Sequence, residues 1–365
     1  MKDKIKIRES NIELLRIISM LFIVLFHYVY KCDFQYSELN FNVLLIKSCW
    51  FLGELGVNLF VLITGYYMCK SKPSVKKIVL LILEVFFYNI LNFIIGYKVG
   101  YIDSFKNISA VFPIITGVYW FITAYSLIYV LSPYYNKLIN SLQKRDYQKF
   151  LLINLIIWCV IPNIFGFFYN SSEVLPFYNR FIWLTLIYFV GAYIKKYNIK
   201  ILDSKKRSLI ISGITFLLMV LSIILIYIFK NNTIEIAYFW TPNNIFMFIL
   251  SVSFFIFFTK IRIGSSKIIN KIASTTLGIY LLHDGILARF IWTNLFKSNI
   301  YIYSDYWFIY MACSTAILFI IGIIIDIIRQ LIEKEIIIKM LNLSIWNKIY
   351  IKLKQNTLII LDKLL

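Results

Sequence analysis

The sequence predicts an all-α fold: a polytopic transmembrane bundle of about ten spans, with both termini in the cytoplasm. Three observations carry that expectation. The chain is 60% hydrophobic and 15% charged, with a mean hydropathy of +0.77, whereas soluble domains sit near about 45–50% apolar. Apolar runs of spanning length recur from one end of it to the other. The basic residues then alternate, rich and poor, between successive connections.

A helical span needs about 20 mostly apolar residues. Ten runs meet or approach that length: 11–30, 43–68, 78–97, 111–133, 150–168, 180–194, 208–229, 244–259, 274–293 and 307–328. The first follows a basic stretch, as a signal peptide does. It lacks a small-residue cleavage site and carries Arg16, so it reads as an uncleaved span. The sixth and eighth are short.

The connections 1–10, 69–77, 134–149, 195–207, 260–273 and 329–365 each hold four to seven Lys and Arg. The alternate connections, 31–42, 98–110, 169–179, 230–243 and 294–306, hold none to two. Lys and Arg are retained on the cytoplasmic side of membrane proteins, which puts the rich set inside. The net charge of +20 is thereby explained by topology, and no nucleic-acid partner is needed. Thirty of the 38 basic residues are Lys, and Ile, Asn, Tyr and Phe are abundant. That bias suggests an AT-rich bacterial genome and a multi-pass protein of the cell membrane.

With no internal repeat or linker, residues 1–328 read as one membrane-embedded domain. Residues 329–365 read as a basic amphipathic cytoplasmic tail, held along the inner surface by anionic lipid. The five cysteines, Cys32, Cys49, Cys69, Cys159 and Cys313, form no C-x-x-C pair. They read as small apolar packing residues, and no metal site is expected.

The chemistry concentrates in the first run, "NIELLRIISMLFIVLFHYVY". Arg16 and His27 are eleven residues apart, which is three turns plus about 20°, so they share one face about 16 Å apart along the axis. Glu13 lies three residues before Arg16, the spacing at which helical side chains meet. Glu13, Arg16, Ile23 and His27 form a stripe, with apolar residues elsewhere. Ionisable groups at bilayer depth usually face the bundle interior and mark a site. The competing reading has Arg16 snorkelling to the inner headgroups and His27 wetted near the outer end. As a site, a neutral imidazole accepts a hydroxyl proton near neutral pH or carries an acyl group transiently. An arginine nearer the cytoplasm grips a phosphate or carboxylate with two parallel hydrogen bonds. Together they suit group transfer from a phosphate-bearing cytosolic donor.

That stretch resembles the first span of the integral-membrane acyltransferase family 3, whose hallmark is an Arg, ten residues, then a His. Three more stretches resemble the family in order: "GVNLFVLITGYYM" (56–68), "VYWFITAYSLIYVLSPYYNKLI" (118–139) and "TLGIYLLHDGIL" (276–287). Thr64 stands where the family usually has Ser, and Leu59-Phe60 where two Phe often stand. The family often has paired arginines in the loop after the second span. Here the stretch is "KSKPSVKK", which keeps the charge without the fork.

The resemblance implies a membrane O-acyltransferase, with acetyl-CoA as donor and a sugar hydroxyl of a surface polysaccharide as acceptor. His27 and Arg16 are then the catalytic candidates, His27 as general base and Arg16 binding donor charge or stabilising the oxyanion. Glu13 and Glu54 are candidate orienting acids, and Lys72, Lys76 and Lys77 candidate donor-binding residues, though positive-inside topology also explains those lysines. Trp120 is a candidate acceptor-lining residue, or an interfacial anchor. His283 ranks behind His27 and reads as structural or supporting. Glu54 and Glu84 need buried partners, for which Arg180 and Arg289 are candidates. No further domain is expected after the tenth span, so transfer would finish within the membrane domain. The rival expectation is a transporter or flippase for a lipid-linked sugar, which also uses intramembrane Glu, Arg and His. The sequence shows none of the paired-half symmetry of such carriers.

Overall fold

The computed structural model describes residues 9–32, 34, 39–71, 73–102, 119–164, 179–229, 241–301 and 304–337. Among them no strand occurs, and helices dominate. The helices are α1 Ser10–Lys31, α2 Phe41–Met68, α3 Val75–Lys98, α4 Trp120–Ser141, α5 Lys144–Leu155, α6 Arg180–Tyr197, α7 Lys205–Phe229, α8 Ile245–Lys260, α9 Lys267–Ala273, α10 Thr276–His283, α11 Ala288–Phe290 and α12 Trp307–Ile332. α5 continues as a π turn over Ile156–Val160, and α12 as another over Glu333–Ile337.

Local chemistry sets several helix starts. Asn40 caps α2 by accepting from the Val43 N–H at 2.9 Å. Asn179 and Asn244 do the same for α6 and α8, each satisfying an N–H that the helix leaves free. Pro133 lies inside α4 and donates no N–H. The Ser132 hydroxyl donates to the Tyr129 carbonyl instead, at 2.8 Å, as an apolar surrounding requires.

α2 is the central helix, packed against α1, α6 and α8. Small residues let backbones meet there, as in other membrane bundles. A Cβ on Gly65 would lie 2.1 Å from the Tyr188 carbonyl oxygen, and one on Gly191 2.4 Å from that of Leu62. The α2–α6 crossing is thus a backbone-on-backbone contact. α7 joins α8 through a Ser212–Ser253 hydroxyl pair at 2.8 Å. Its other face, with Leu217, Leu221, Leu225 and Ile228, is exposed and apolar, as a lipid-facing surface must be.

Among the described residues, six helices are long and apolar enough to cross a membrane: Ser10–Lys31, Phe41–Met68, Val75–Lys98, Lys144–Ile164, Lys205–Phe229 and Trp307–Glu335. Trp120–Ser141, Arg180–Tyr197 and Ile245–Lys260 are shorter or less apolar. The ninth run, expected as one span over 274–293, is broken. α10 ends at His283, and α11 begins only at Ala288. The Leu281 carbonyl instead accepts from Asn92 Nδ2 at 3.0 Å and the Tyr119 hydroxyl at 3.1 Å. Gly285 follows, where a Cβ would lie 2.5 Å from Asn92 Nδ2 and 2.6 Å from Tyr119 Oη. Donors from α3 and beside the start of α4 therefore hold the break open. The last helix runs past the expected boundary at 328, and Arg329 is a buried part of it. Most of the expected tail, from 338 onward, lies outside the described residues.

Candidate active site

One cavity of about 710 Å³ runs beside α1. Arg16, Met20, Ile23, His27, Tyr30 and Lys31 of that helix line it. Their spacing of three and four residues is the helical repeat, so the predicted stripe, apart from Glu13, forms a cavity wall. From Arg16 to Lys31 the wall rises about 22 Å. At the Arg16 end stand Lys77 and Glu84 of α3 and Ser274. Toward the His27 end stand Glu54, Trp120, Arg180, Tyr280 and Asp284.

His27 is 7% exposed and His283 wholly buried. His27 Nδ1 meets His283 Nε2 at 2.9 Å, and His283 Nδ1 meets the Ile279 carbonyl oxygen at 2.5 Å. On its other edge, His27 Nε2 lies 3.4 Å from Asp284 Oδ1, which is 3.5 Å from Lys31 Nζ. The broken helix explains this placement. α10 delivers His283 to the inner side of His27, and the break turns Asp284 into the cavity. The bare carbonyls at a helix C-terminus also favour positive charge nearby.

Arg16 lines the cavity and pairs with Glu13 at 3.5 Å, across the i, i+3 spacing. Glu13 is buried beside it and is not part of the cavity wall. Glu54 lines the cavity, yet its carboxylate pairs with Arg180 at 3.5 Å. The acid that faces His27 is Asp284. Trp120 lines the cavity with the Arg180 guanidinium 4.6 Å over its ring, a cation–π geometry. Lys77 reaches the cavity wall, while Lys76 is exposed outside it. Lys72 lies outside the described residues.

A second polar cluster adjoins the Arg16 end. Arg329 Nε donates to Asp326 at 2.6 Å and Nη2 lies 3.1 Å from Glu84 Oε1, with Glu333 paired to Nη1. Tyr88 donates to Asp326 at 2.9 Å. The partner of Glu84 is thus Arg329, which the sequence did not single out. Asp326 in the last apolar run and an Arg three residues on, just past its expected boundary, were the available signal.

A family profile described as an acyltransferase domain matches residues 9–325. No curated protein and no solved structure gives a match.

Proposed function

The chain belongs to the integral-membrane acyltransferase family 3, and from that premise we propose that it moves an acetyl group from cytosolic acetyl-CoA to a hydroxyl of a cell-surface or lipid-linked polysaccharide. The observation that carries this reading is the cavity beside α1, with Arg16 and Lys77 at one end and a buried histidine, beside Asp284 and Lys31, toward the other. CoA phosphates cannot enter lipid, so they stay at the basic cytoplasmic face, near Lys77 and Arg16. The narrow pantetheine arm follows the cavity toward His27. The polysaccharide hydroxyl comes from the opposite mouth, past Trp120 and Arg180.

His27 Nε2 takes the proton of the attacking hydroxyl as general base. The oxygen attacks the thioester carbonyl, and the C–O bond forms as the C–S bond breaks. The leaving sulfur recovers the proton from His27 as a thiol. Asp284, beside Nε2, stabilises the imidazolium that exists between those steps. Arg16 is about 16 Å from His27 along the axis, and no arginine side chain closes that gap. Arg16 therefore binds donor charge, held in orientation by Glu13, and does not donate to the oxyanion at His27. The setting proposed is a bacterial cell membrane, with α1 entering from the cytoplasm.

The test is transfer of radiolabelled acetyl from acetyl-CoA in inside-out membrane vesicles. Base-labile label on the glycan fraction, lost in His27→Ala, supports the reading. Wild-type vesicles that translocate lipid-linked sugar without incorporating label would assign the chain to transport.

A further inference from the structure

The chemistry above employs one imidazole, yet the chain's two histidines touch. The second, His283, does not line the cavity. Its contacts nevertheless fix where protons sit. A carbonyl oxygen only accepts, so the contact from His283 Nδ1 to the Ile279 oxygen places a proton on Nδ1. In the neutral ring Nε2 is then a lone pair, and it faces His27 Nδ1 at 2.9 Å. A neutral His27 satisfies that lone pair only by carrying its own proton on Nδ1. Its remaining lone pair is on Nε2, the edge toward Asp284 and Lys31.

We infer that His283 is a positioning residue that sets the tautomer of His27, holding its basic nitrogen toward the cavity. The inference rests on the reading of His27 as the base. Without His283 the preference reverses. Asp284 Oδ1 is the acceptor left beside the ring, and it draws the single proton of neutral His27 to Nε2. The lone pair then points at the packed side, where no hydroxyl arrives. During a turnover His27 gains a proton at Nε2 and returns it to the thiolate, while His283 keeps Nδ1–H throughout. The ring nitrogens of a histidine are distinct, and the hydrogen bond of one decides the role of the other.

With two histidines in the chain, ring ¹⁵N spectra of uniformly ¹⁵N-histidine-labelled protein are directly assignable by single variants. The wild type, in nanodiscs without substrate, is expected to show both rings as Nδ1–H tautomers. His283→Phe keeps a flat ring but removes the acceptor, and His27 is expected to change to Nε2–H. His283→Gln places an amide oxygen near the old Nε2 position, so His27 is expected to stay Nδ1–H. In acetyl transfer from acetyl-CoA to membrane glycan, His283→Phe should lose about 10²–10⁴-fold in kcat, the usual worth of a general base. The donor KM should be unchanged, and His283→Gln should recover most of the rate. Wild-type His27 found as Nε2–H overturns the inference, whatever the kinetics. So does a His283→Phe protein of wild-type kcat. Wild-type activity in His27→Ala would instead remove the base assignment, and the spectra separate that outcome from a failure of the tautomer argument.

Discussion

Asp284→Asn isolates the electrostatic part of the account. In the reaction His27 becomes an imidazolium whose Nε2 lies 3.4 Å from Asp284 Oδ1. At an effective dielectric constant near 20, two unit charges at that distance attract by about 5 kcal/mol. The whole of that is not lost in the variant. Asparagine keeps a carbonyl dipole at the same place, and Lys31 loses the same partner. A loss of about 3 kcal/mol in transition-state stabilisation is the reasonable expectation, or roughly 150-fold in kcat. The donor KM should hold, because the charge being stabilised is absent from the ground state. The assay is initial acetyl transfer against acetyl-CoA concentration in membranes, with folding checked by gel filtration in detergent. A variant with wild-type kcat would refute the reasoning, and so would one whose whole defect lies in KM.

Arg16→Lys keeps the charge and loses the planar fork, so the acetyl-CoA KM should rise about 10–100-fold, the worth of a charge-assisted bond of about 1.5–3 kcal/mol; the same saturation curve reads it, with kcat near wild type. Arg329→Leu removes the cation paired with buried Asp326 and with half-buried Glu84, and should cost about 3–5 kcal/mol of stability, read as a fall in the thermal midpoint by detergent gel filtration. Gly65→Val puts bulk where a Cβ already meets the Tyr188 carbonyl at 2.1 Å; at least about 1–3 kcal/mol should be lost on the same thermal scale. For topology, cysteines introduced into an otherwise cysteine-free chain at Lys297 and Lys200 should label from outside and only after permeabilisation, respectively.

The side of the site built from one helix was legible in the sequence. Eleven residues bring Arg16 and His27 to one face by helical arithmetic, and the same arithmetic pairs Glu13 with Arg16. What escaped the sequence depends on distant elements. His283 lies 256 positions from His27 and meets it because α10 packs on α1, while Asn92 and Tyr119 take up the Leu281 carbonyl at the break that follows. A hydropathy window sees "TLGIYLLHDGIL" as one apolar run, because it averages over the break that turns Asp284 into the cavity. Glu54 looked like an orienting acid by depth alone, but depth does not choose between His27 and Arg180, and the pairing goes to Arg180. Lys76 and Lys77 are adjacent in sequence and about 100° apart around a helix, so only Lys77 reaches the cavity.

The central claim is that His27 turns this cavity into an acyl-transfer site. It is tested most directly by supplying radiolabelled acetyl-CoA to inside-out vesicles holding equal amounts of wild type and His27→Ala. The account predicts base-labile label on membrane glycan for the wild type, and a rate at least about 100-fold lower for the variant. Equal labelling by the two proteins would contradict it.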